Sequence, residues 1–218
     1  MVCVYQLQLK EWKNYQNPNM KILQPDANYT FRSYFELSHD TDEILAEFDY
    51  KLIKKRLQLP RTKRELSGLA ELKQNLENVL PYVPLTSETA RREILVAPVL
   101  SRVAMICQQI LRIEYPVKVN NLLQGNLDYL IRAIHSLIVI EAKRDDLTRG
   151  FTQLAVEAIA LSMLDDAPDL LYGAVTIGNV WIFGILDVPS RTIFQDIASY
   201  TLPDNLEDLI SILVGVLE

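Results

Sequence analysis

A short aliphatic run that ends in two charges constrains this chain more than any other feature. Residues 137–140 read Leu-Ile-Val-Ile, and Glu141 and Lys143 follow in the next three positions. An unbroken run of branched aliphatic residues is typical of a central strand buried on both faces of a sheet. Charges at the end of such a strand are costly unless they are paired or bound to a ligand. We therefore expect a sheet here, with Glu141 and Lys143 at its margin.

The surrounding pattern predicts an α/β fold of the α+β kind. Apolar spacing and turn residues place helices and strands along the chain from residue 86 onward. The predicted helices are 87–110, 148–164 and 203–217, and the predicted strands are 111–119, 125–133, 136–143, 170–177 and 180–186. Pro98 should kink the first of these helices because it has no backbone N–H to donate. Gly178-Asn179 is a strong signal for a short turn between the last two strands.

The first part of the chain has a different character. Residues 1–30 are polar and interrupted by prolines, which predicts an irregular lead-in. The predicted elements that follow are a strand at 29–37 and helices at 41–60 and 64–80. The polar cluster from His39 to Glu43 is interpreted as a helix start rather than a metal site, because apolar residues follow it at helical spacing. Residues 1–85 are thus predicted to be a mostly helical extension packed on a core of residues 86–218.

Composition places the chain among ordinary globular proteins. Its 218 residues are 49% hydrophobic and 23% charged, which is enough for one sizeable core. Two cysteines far apart in sequence favour a reducing compartment over a disulfide framework. The N-terminus has no basic leader before an apolar stretch, and no apolar run approaches a membrane span. We therefore expect a cytoplasmic protein that does not act in a membrane.

Charge is unevenly distributed along the chain. The net charge is −6, and residues 157–218 hold ten acids and one base. Residues 51–64, by contrast, hold seven bases and no acid. This basic stretch can meet a phosphate backbone, although a solvated helix face is the commoner meaning of such a run. The acidic remainder argues against a protein that coats nucleic acid.

Asp128, Glu141 and Lys143 form the candidate site. Residues i and i+2 of a strand share a face, so Glu141 and Lys143 should project together, and Asp128 on the preceding strand can lie beside them. One or two carboxylates suit Mg²⁺, which fills its remaining positions with waters and phosphate oxygens, and the Ala142 carbonyl can contribute as well. Lys143 can hold a phosphate or the attacking water as a compact cation.

The same spacing also has a purely structural explanation. An acid followed two residues later by a lysine occurs again at Glu11 with Lys13 and at Glu71 with Lys73. A salt-bridged strand end at the sheet margin would show the same letters. Spacing alone therefore leaves the metal site and the salt bridge both open.

The order of the elements, with GNLDY on the second strand and LIVIEAK on the third, resembles the core of the PD-(D/E)xK nuclease superfamily over residues 86–190. Together with RGFTQLAVE, these sequence segments resemble those of a group of uncharacterised cyanobacterial proteins placed in that superfamily. The resemblance implies a restriction-endonuclease-like core, in which a helix, three strands, a helix and a strand build a mixed sheet. It also implies Asp128 and Glu141 as metal ligands, Lys143 as the catalytic lysine, and Mg²⁺ or Mn²⁺ as the cofactor.

Two further residues take roles from this resemblance. Glu93, on the helix before the sheet, matches an acid that many members use as a further metal ligand or to orient the lysine. Gln153 matches a polar residue of the catalytic site on the following helix, near the metal or the phosphate. From the sequence alone, Glu93 can equally be an exposed helix acid, and Gln153 and Glu157 can form an ordinary polar stripe. Leu127 stands where the motif has proline, and Glu157 stands where some branches have tyrosine.

Two functions of different classes are compatible with these features. The first is a Mg²⁺-dependent nuclease that hydrolyses phosphodiester bonds of nucleic acid, with DNA as the expected partner. A variant of this function is a nuclease that cleaves only when an accessory protein supplies the grip on DNA. The second is a catalytically silent nuclease fold that acts as a protein-interaction or dimerisation module, for example as a homodimer.

Overall fold

A mixed sheet forms the centre of the protein. The computed structural model describes residues 20–133, 136–141 and 146–218, and for residues 136–141 it describes the backbone alone. The strands in these ranges are β1 (Lys51–Lys55), β2 (Leu111–Lys118), β3 (Gln124–Arg132), β4 (Ser136–Glu141), β5 (Leu170–Thr176), β6 (Val180–Asp187), β7 (Thr192–Asp196) and β8 (Tyr200–Thr201). Their order across the sheet is β1-β7-β6-β5-β4-β3-β2, and β8 pairs with β6. The β1–β7 and β4–β5 pairs are parallel and the other pairs are antiparallel.

Helices cover both faces of this sheet. The helices are α1 (Phe31–Glu36), α2 (Thr41–Ala46), α3 (Leu69–Val79), α4 (Glu88–Arg91), α5 (Ala97–Cys107), α6 (Leu147–Ser162) and α7 (Leu206–Leu217), with a 3₁₀ turn at Leu80–Tyr82 and a π-helical segment at Arg92–Val96. α6 packs with α1 and α2 on one face, and α3, α5 and α7 cover the other. None of the helices in the described ranges has both the length and the apolar character of a membrane span. The predicted class, α/β with a mixed sheet, is confirmed.

β5 shows how the two faces of the sheet are filled. Leu171 and Val175 belong to the apolar cluster under α6. Tyr172 and Ala174, which alternate with them, belong to the cluster under α5 and α7. This alternation is what a strand buried on both faces requires. The sheet is therefore the middle one of three layers, and helices on each side can contribute residues to its margin.

Most elements after residue 86 agree with the prediction. β2, β3, β4, α6, β5, β6 and α7 begin and end within a few residues of the predicted bounds. The turn between β5 and β6 falls at Gly178, whose φ of 94° only glycine adopts without strain. The prediction omits β7 and β8, which are too short to show a periodic pattern.

The long helix before the sheet is irregular, as Pro98 predicts, but the irregularity lies one turn earlier. α4 runs into the π-helical segment Arg92–Val96, and α5 follows. Pro98 has no N–H to donate to the carbonyl of Ile94, and a widened turn is one way to accommodate that loss. Glu93 lies within this widened segment.

The predicted strand at 29–37 is wrong, because this segment forms helix α1. The buried residues of α1 are its aromatic ones, Phe31, Tyr34 and Phe35. Tyr34 breaks a strand alternation and completes one face of a helix. The Thr30 N–H donates to the Ser33 hydroxyl at 3.0 Å and helps to start the helix. The Tyr34 hydroxyl donates to the Leu122 carbonyl at 2.6 Å, which ties α1 to the loop before β3.

The helix predicted from residue 41 to Pro60 is correct at its start and too long. Asp40 and Glu43 form a capping box at the expected helix start, but α2 is short, and Asp49 then takes a left-handed backbone with a φ of 58°. The chain continues as β1, parallel to β7. Pairing with a strand far along the sequence overrides the local helical spacing. The basic stretch 51–64 therefore begins as an edge strand and not on a helix face.

A buried carboxylate holds the beginning of the described chain. Glu47 is 6% exposed, and its oxygens accept hydrogen bonds from the backbone N–H groups of Lys21, Ile22 and Leu23 at 3.0–3.1 Å. Three donors around one carboxylate replace the water that its charge would otherwise need. Residues 1–19, the larger part of the predicted irregular lead-in, lie outside the described ranges.

Replacement of Glu47 by Gln should lower the free energy of unfolding by about 1–3 kcal/mol. The amide loses the charge and turns an NH₂ group toward N–H donors. Urea unfolding measures the change. Glu43→Gln is the matched control, since Glu43 lies on the same helix, is exposed and accepts from the Asp40 N–H at 3.1 Å. Equal losses in the two variants would show that the buried carboxylate has no special role.

Candidate functional site

Asp128 lies where β3 separates from β4. The last paired position of these strands at this end joins Tyr129 to Val139, so Asp128 is the first residue of β3 beyond the ladder. On the other side of β3, the ladder with β2 skips Asp128 and the opposing Glu114. Asp128 is only 9% exposed. An acid is thus held inside a break in the sheet, which we call the fork.

Glu141 lies at the same fork, on the other strand. It is the last residue of β4, two positions beyond Val139, and its backbone is in register with Thr176 of β5. The expectation that Asp128 and Glu141 come from neighbouring antiparallel strands is therefore confirmed for the backbone. Lys143 and Ala142 lie outside the described residues. The metal-binding role of Glu141 and the catalytic role of Lys143 stay predictions.

Glu93 and Asp128 both raise the pKa of the Tyr129 hydroxyl. Burial raises the pKa of the Tyr129 hydroxyl above its ordinary value; Arg92 opposes this rise, and the negative charges of Glu93 and Asp128 add to it. Charge effects of this kind are strong only over a few ångströms. Glu93 is exposed in the π-helical segment, so the helix before the sheet presents this acid to the same tyrosine that follows Asp128.

Arg92 connects the acids on this side of the fork. Its Nη1 donates to Glu114 Oε1 at 3.0 Å, and its Cζ lies 5.4 Å from the centroid of the Tyr129 ring. Burial acts against the charge of Arg92, but Tyr129, Asp128 and Glu114 outweigh that effect and raise its pKa. Because the guanidinium is always charged, Asp128 has a fixed positive neighbour.

Sequence reasoning missed the contributions of Arg92, Glu114 and Tyr129. The segment that contains Glu114 alternates like an ordinary strand, yet its φ of 51° takes it out of the strand conformation. Pro116 is the one local sign, since proline within a strand indicates an edge or an interruption. Arg92 reaches the fork from the widened helical turn. Pro98 predicts an irregular helix, but not that the irregularity lies at Arg92.

Gln153 and Glu157 form a second polar pair, on α6. They are 4% and 0% exposed, and Gln153 Nε2 donates to Glu157 Oε1 at 3.0 Å. Such burial excludes an ordinary polar stripe on the surface. Asp146 caps the start of α6, and its side chain accepts from the Arg149 N–H at 2.9 Å. The pair is therefore a fixed unit in the middle of a helix that is buried from Gly150 to Ser162.

The described side chains fit a divalent cation in part. Asp128, Glu93 and Glu114 offer carboxylate oxygens, which Mg²⁺ prefers. No group of three or more His, Cys, Asp or Glu residues that could hold a metal ion occurs in the described part of the chain. An ion at the fork would thus need Asp128 together with ligands from the end of β4. The donor chemistry of Asp128 fits, and Glu141 stays the predicted ligand from β4, since its side chain lies outside the described part of the structure.

Comparison with known proteins adds no assignment to this geometry. The chain matches no protein-family model and no curated protein. The resemblance to the PD-(D/E)xK superfamily therefore stays an expectation, and the placement of its residues in the fold carries the argument.

Arg92→Met should destabilise the protein, because the nearly buried Asp128 loses its positive neighbour while an apolar stem of similar length remains. We expect the free energy of unfolding to fall by about 1–3 kcal/mol. Urea unfolding monitored by circular dichroism measures the loss.

Arg112→Met is the matched control for this change. Arg112 also lies over a tyrosine, with its Cζ 5.7 Å from the centroid of the Tyr115 ring, but it is in register with Leu130 rather than at the fork. Its replacement should cost less than about 1 kcal/mol. A larger loss at Arg112 than at Arg92 would contradict the role of Arg92 as the counter-ion of Asp128.

Proposed function

We propose that this protein is a Mg²⁺-dependent nuclease of the PD-(D/E)xK type, which hydrolyses phosphodiester bonds of nucleic acid and acts on DNA. The observation that carries the proposal is the fork, with the buried Asp128 on one strand and the backbone of Glu141 at the end of the other. Two strands that separate beside acids leave room between them for an ion and a phosphate oxygen.

The order of the elements supports a restriction-endonuclease-like core. The helical run from α4 to α5 precedes β2, β3 and β4, and α6 and β5 follow. α5 and α6 lie on opposite faces of the sheet. Each therefore brings its candidate residues to the strands from its own side, Glu93 from the helical run and Gln153 from α6.

In the proposed mechanism, Asp128, Glu141 and Glu93 would hold the ion through carboxylate oxygens. Bound Mg²⁺ supplies positive charge that lowers the pKa of a water ligand and offsets charge on the leaving oxygen. Lys143 orients the attacking water or the phosphate. Arg92 places a permanent positive charge near Asp128.

Gln153 takes a positioning role in this proposal. Its amide is bound to Glu157 within α6, and both residues are buried. α6 packs against β4, whose last residue is Glu141. The pair therefore acts by setting how α6 sits against the strand that carries the second acid, and not by contact with the bulk of the substrate.

The proposed partner and location follow from charge and cysteine usage. A net charge of −6 leaves the grip on DNA to a limited surface, to an accessory protein or to a homodimer. Two cysteines in 218 residues suit the reducing cytoplasm, where DNA is available.

Asp128→Asn and Lys143→Ala should each reduce Mg²⁺-dependent cleavage of plasmid and oligonucleotide DNA by at least about a hundredfold. Each removes one charge from the site. Asp128→Asn also takes a negative neighbour from Arg92, so its thermal midpoint should fall by a few degrees, and cleavage is compared at a temperature at which every variant is folded. Glu71→Gln and Lys73→Ala are matched controls, because these residues have the same spacing but lie on α3. Both controls should keep full activity.

Titration calorimetry with Mn²⁺ tests the site independently of cleavage. The natural chain should bind the ion, and Asp128→Asn should abolish or strongly weaken that binding. A well-folded protein that binds neither Mg²⁺ nor Mn²⁺ and leaves DNA and RNA intact would sink the proposed function.

A catalytically silent dimerisation module is the second candidate, and the β2 edge favours it. Ile113 on β2, Ile110 directly before it and Met105 near the end of α5 are 55%, 67% and 69% exposed and lie close together in sequence. Exposed apolar side chains of this kind mark contact surfaces. Glu114 and Pro116 interrupt the backbone pairing of the edge, so side chains would make the contact with a second copy. A dimer seen in analytical ultracentrifugation and lost in Ile113→Lys, in a protein without nuclease activity, would favour this alternative.

A further inference from the structure

The basic stretch 51–64 is divided by the fold into two parts. The first part is β1 and the residue after it, at the free edge of the sheet. The second part leaves the sheet and runs along α7. The Thr62 N–H donates to the Ser211 carbonyl at 3.0 Å, which fixes this part against the helix. The two parts have opposite electrostatic surroundings.

The second part is neutralised by acids of α7. Arg61 forms an ion pair with Asp208 near the start of the helix. Arg64 Nη1 lies 3.4 Å from Glu218 Oε1 after its end, and Thr62 donates to the same oxygen at 2.9 Å. The acidic C-terminal third of the chain thus accounts for the charges of Arg61 and Arg64, while Lys63 between them is exposed.

The first part keeps its charge exposed. Lys54, Lys55 and Arg56, which we call the β1 cation group, are all exposed, and within the described ranges none of them forms an ion pair. Lys55 Nζ lies 3.9 Å from the centroid of the Phe194 ring, a contact that holds the ammonium group at the edge without neutralising it.

Asp196, the acid next to this group, already accepts hydrogen bonds from the backbone. Asp196 is in register with Lys55 but is 3% exposed. Its Oδ1 accepts from the N–H groups of Leu57 and Ala198 at 3.2 and 3.0 Å. Asp196 thereby fixes the chain directly after Arg56 and leaves the cations facing outward.

The β1 cation group and the fork lie on the same margin of the sheet. β1, β7, β5 and β4 all run in one direction, so their C-terminal ends meet on one side. The row of paired residues that starts at Lys54 runs through Gln195, Gly184 and Gly173 to Ile138. Two residues further along the parallel strands, Arg56 is level with residue 140, directly before Glu141.

The separation between the two places suits a polyanion. Four strand spacings lie between β1 and β4, which is about 19 Å at the usual distance between strands. Along a DNA duplex, this length corresponds to about five to six base pairs. A duplex that lies along the margin with one phosphate at the fork therefore places other phosphates at the edge strand.

We propose that the β1 cation group is a second contact for the phosphate backbone of DNA bound at the fork. Lysine and arginine contact phosphates without reading bases, so this surface positions the duplex and adds affinity without sequence preference. The inference rests on the proposed function in one respect, namely that DNA is the ligand of the fork. It supplies the limited gripping surface that an acidic protein needs.

Lysines on an edge strand can also protect the edge from pairing with another chain, and the test distinguishes that role from a phosphate contact. Charges on an open edge discourage pairing with the edge of another chain. That use requires charge of either sign, whereas a phosphate contact requires positive charge. Substitution by glutamate keeps the protection and removes the contact, so it distinguishes the two.

The test is the binding of a fluorescent duplex of about 20 base pairs, measured by anisotropy over a salt series. Mg²⁺ is present and every protein carries Lys143→Ala, so that the fork keeps its ion while cleavage is suppressed. The double variant Lys54→Glu with Arg56→Glu should bind at least about tenfold more weakly at 0.1 M salt. The slope of log affinity against log salt should become shallower by about two, one for each lost phosphate contact.

Lys51→Glu with Arg132→Glu is the matched control. Both residues are exposed, and they stand at the first position of β1 and the last position of β3, on the opposite margin of the sheet. The change in net charge is the same. The affinity of this control should fall less than about threefold, and its salt slope should stay unchanged.

Each outcome decides the matter. Unchanged affinity in the Lys54 and Arg56 variant, or equal weakening in the control, would overturn the inference. A duplex that binds through the β1 cation group but is never cleaved with Mg²⁺ would leave the inference standing and remove the proposed function. A natural chain that binds no duplex at low salt would overturn both. If Lys54→Gln with Arg56→Gln self-associates and keeps full DNA affinity, edge protection is the sole role of these charges.

Discussion

The separation of β3 from β4 beyond Tyr129 is the constraint on which the candidate site depends. Up to the pair of Tyr129 with Val139, backbone hydrogen bonds hold the two strands together. Beyond it, Asp128 needs a stabilising neighbour that the ladder does not provide, and Arg92 supplies the charge. Arg92 reaches the fork from a helical turn that is widened just before Pro98. An irregularity in one layer of the fold thus fixes an acid in another layer.

Elements with nearby partners were predictable from the sequence. The aliphatic run at 137–140 indicates a central strand, and the antiparallel pairs β3–β4 and β5–β6 join strands that are neighbours along the chain. β1 was not predictable, because its stability comes from β7, which no local pattern of residues 51–55 reveals. The prediction for the aromatic segment that forms α1 failed for a different reason, since its aromatic content favours a strand while the position of Tyr34 fits only a helix.

The candidate site was predictable to the same extent as the fold. The neighbouring positions of Asp128 and Glu141 follow from strand order, and the fold reproduces them for the backbone. The surroundings of Asp128 do not follow, because they depend on the left-handed backbone of Glu114 and on the widened turn that carries Arg92. Such features arise from packing between layers, and single residues in a sequence do not report them.

The pairing of β1 with β7 has a consequence for the nascent chain during synthesis. The segment Lys51–Lys55 leaves the ribosome long before Thr192–Asp196, so it must wait without a partner while most of the chain is made. An unpaired strand in a nascent chain is prone to aggregation. Its lysines repel the same segment of a neighbouring nascent chain on the polysome. The charges on this edge therefore protect the strand from aggregation before its partner strand has been synthesised.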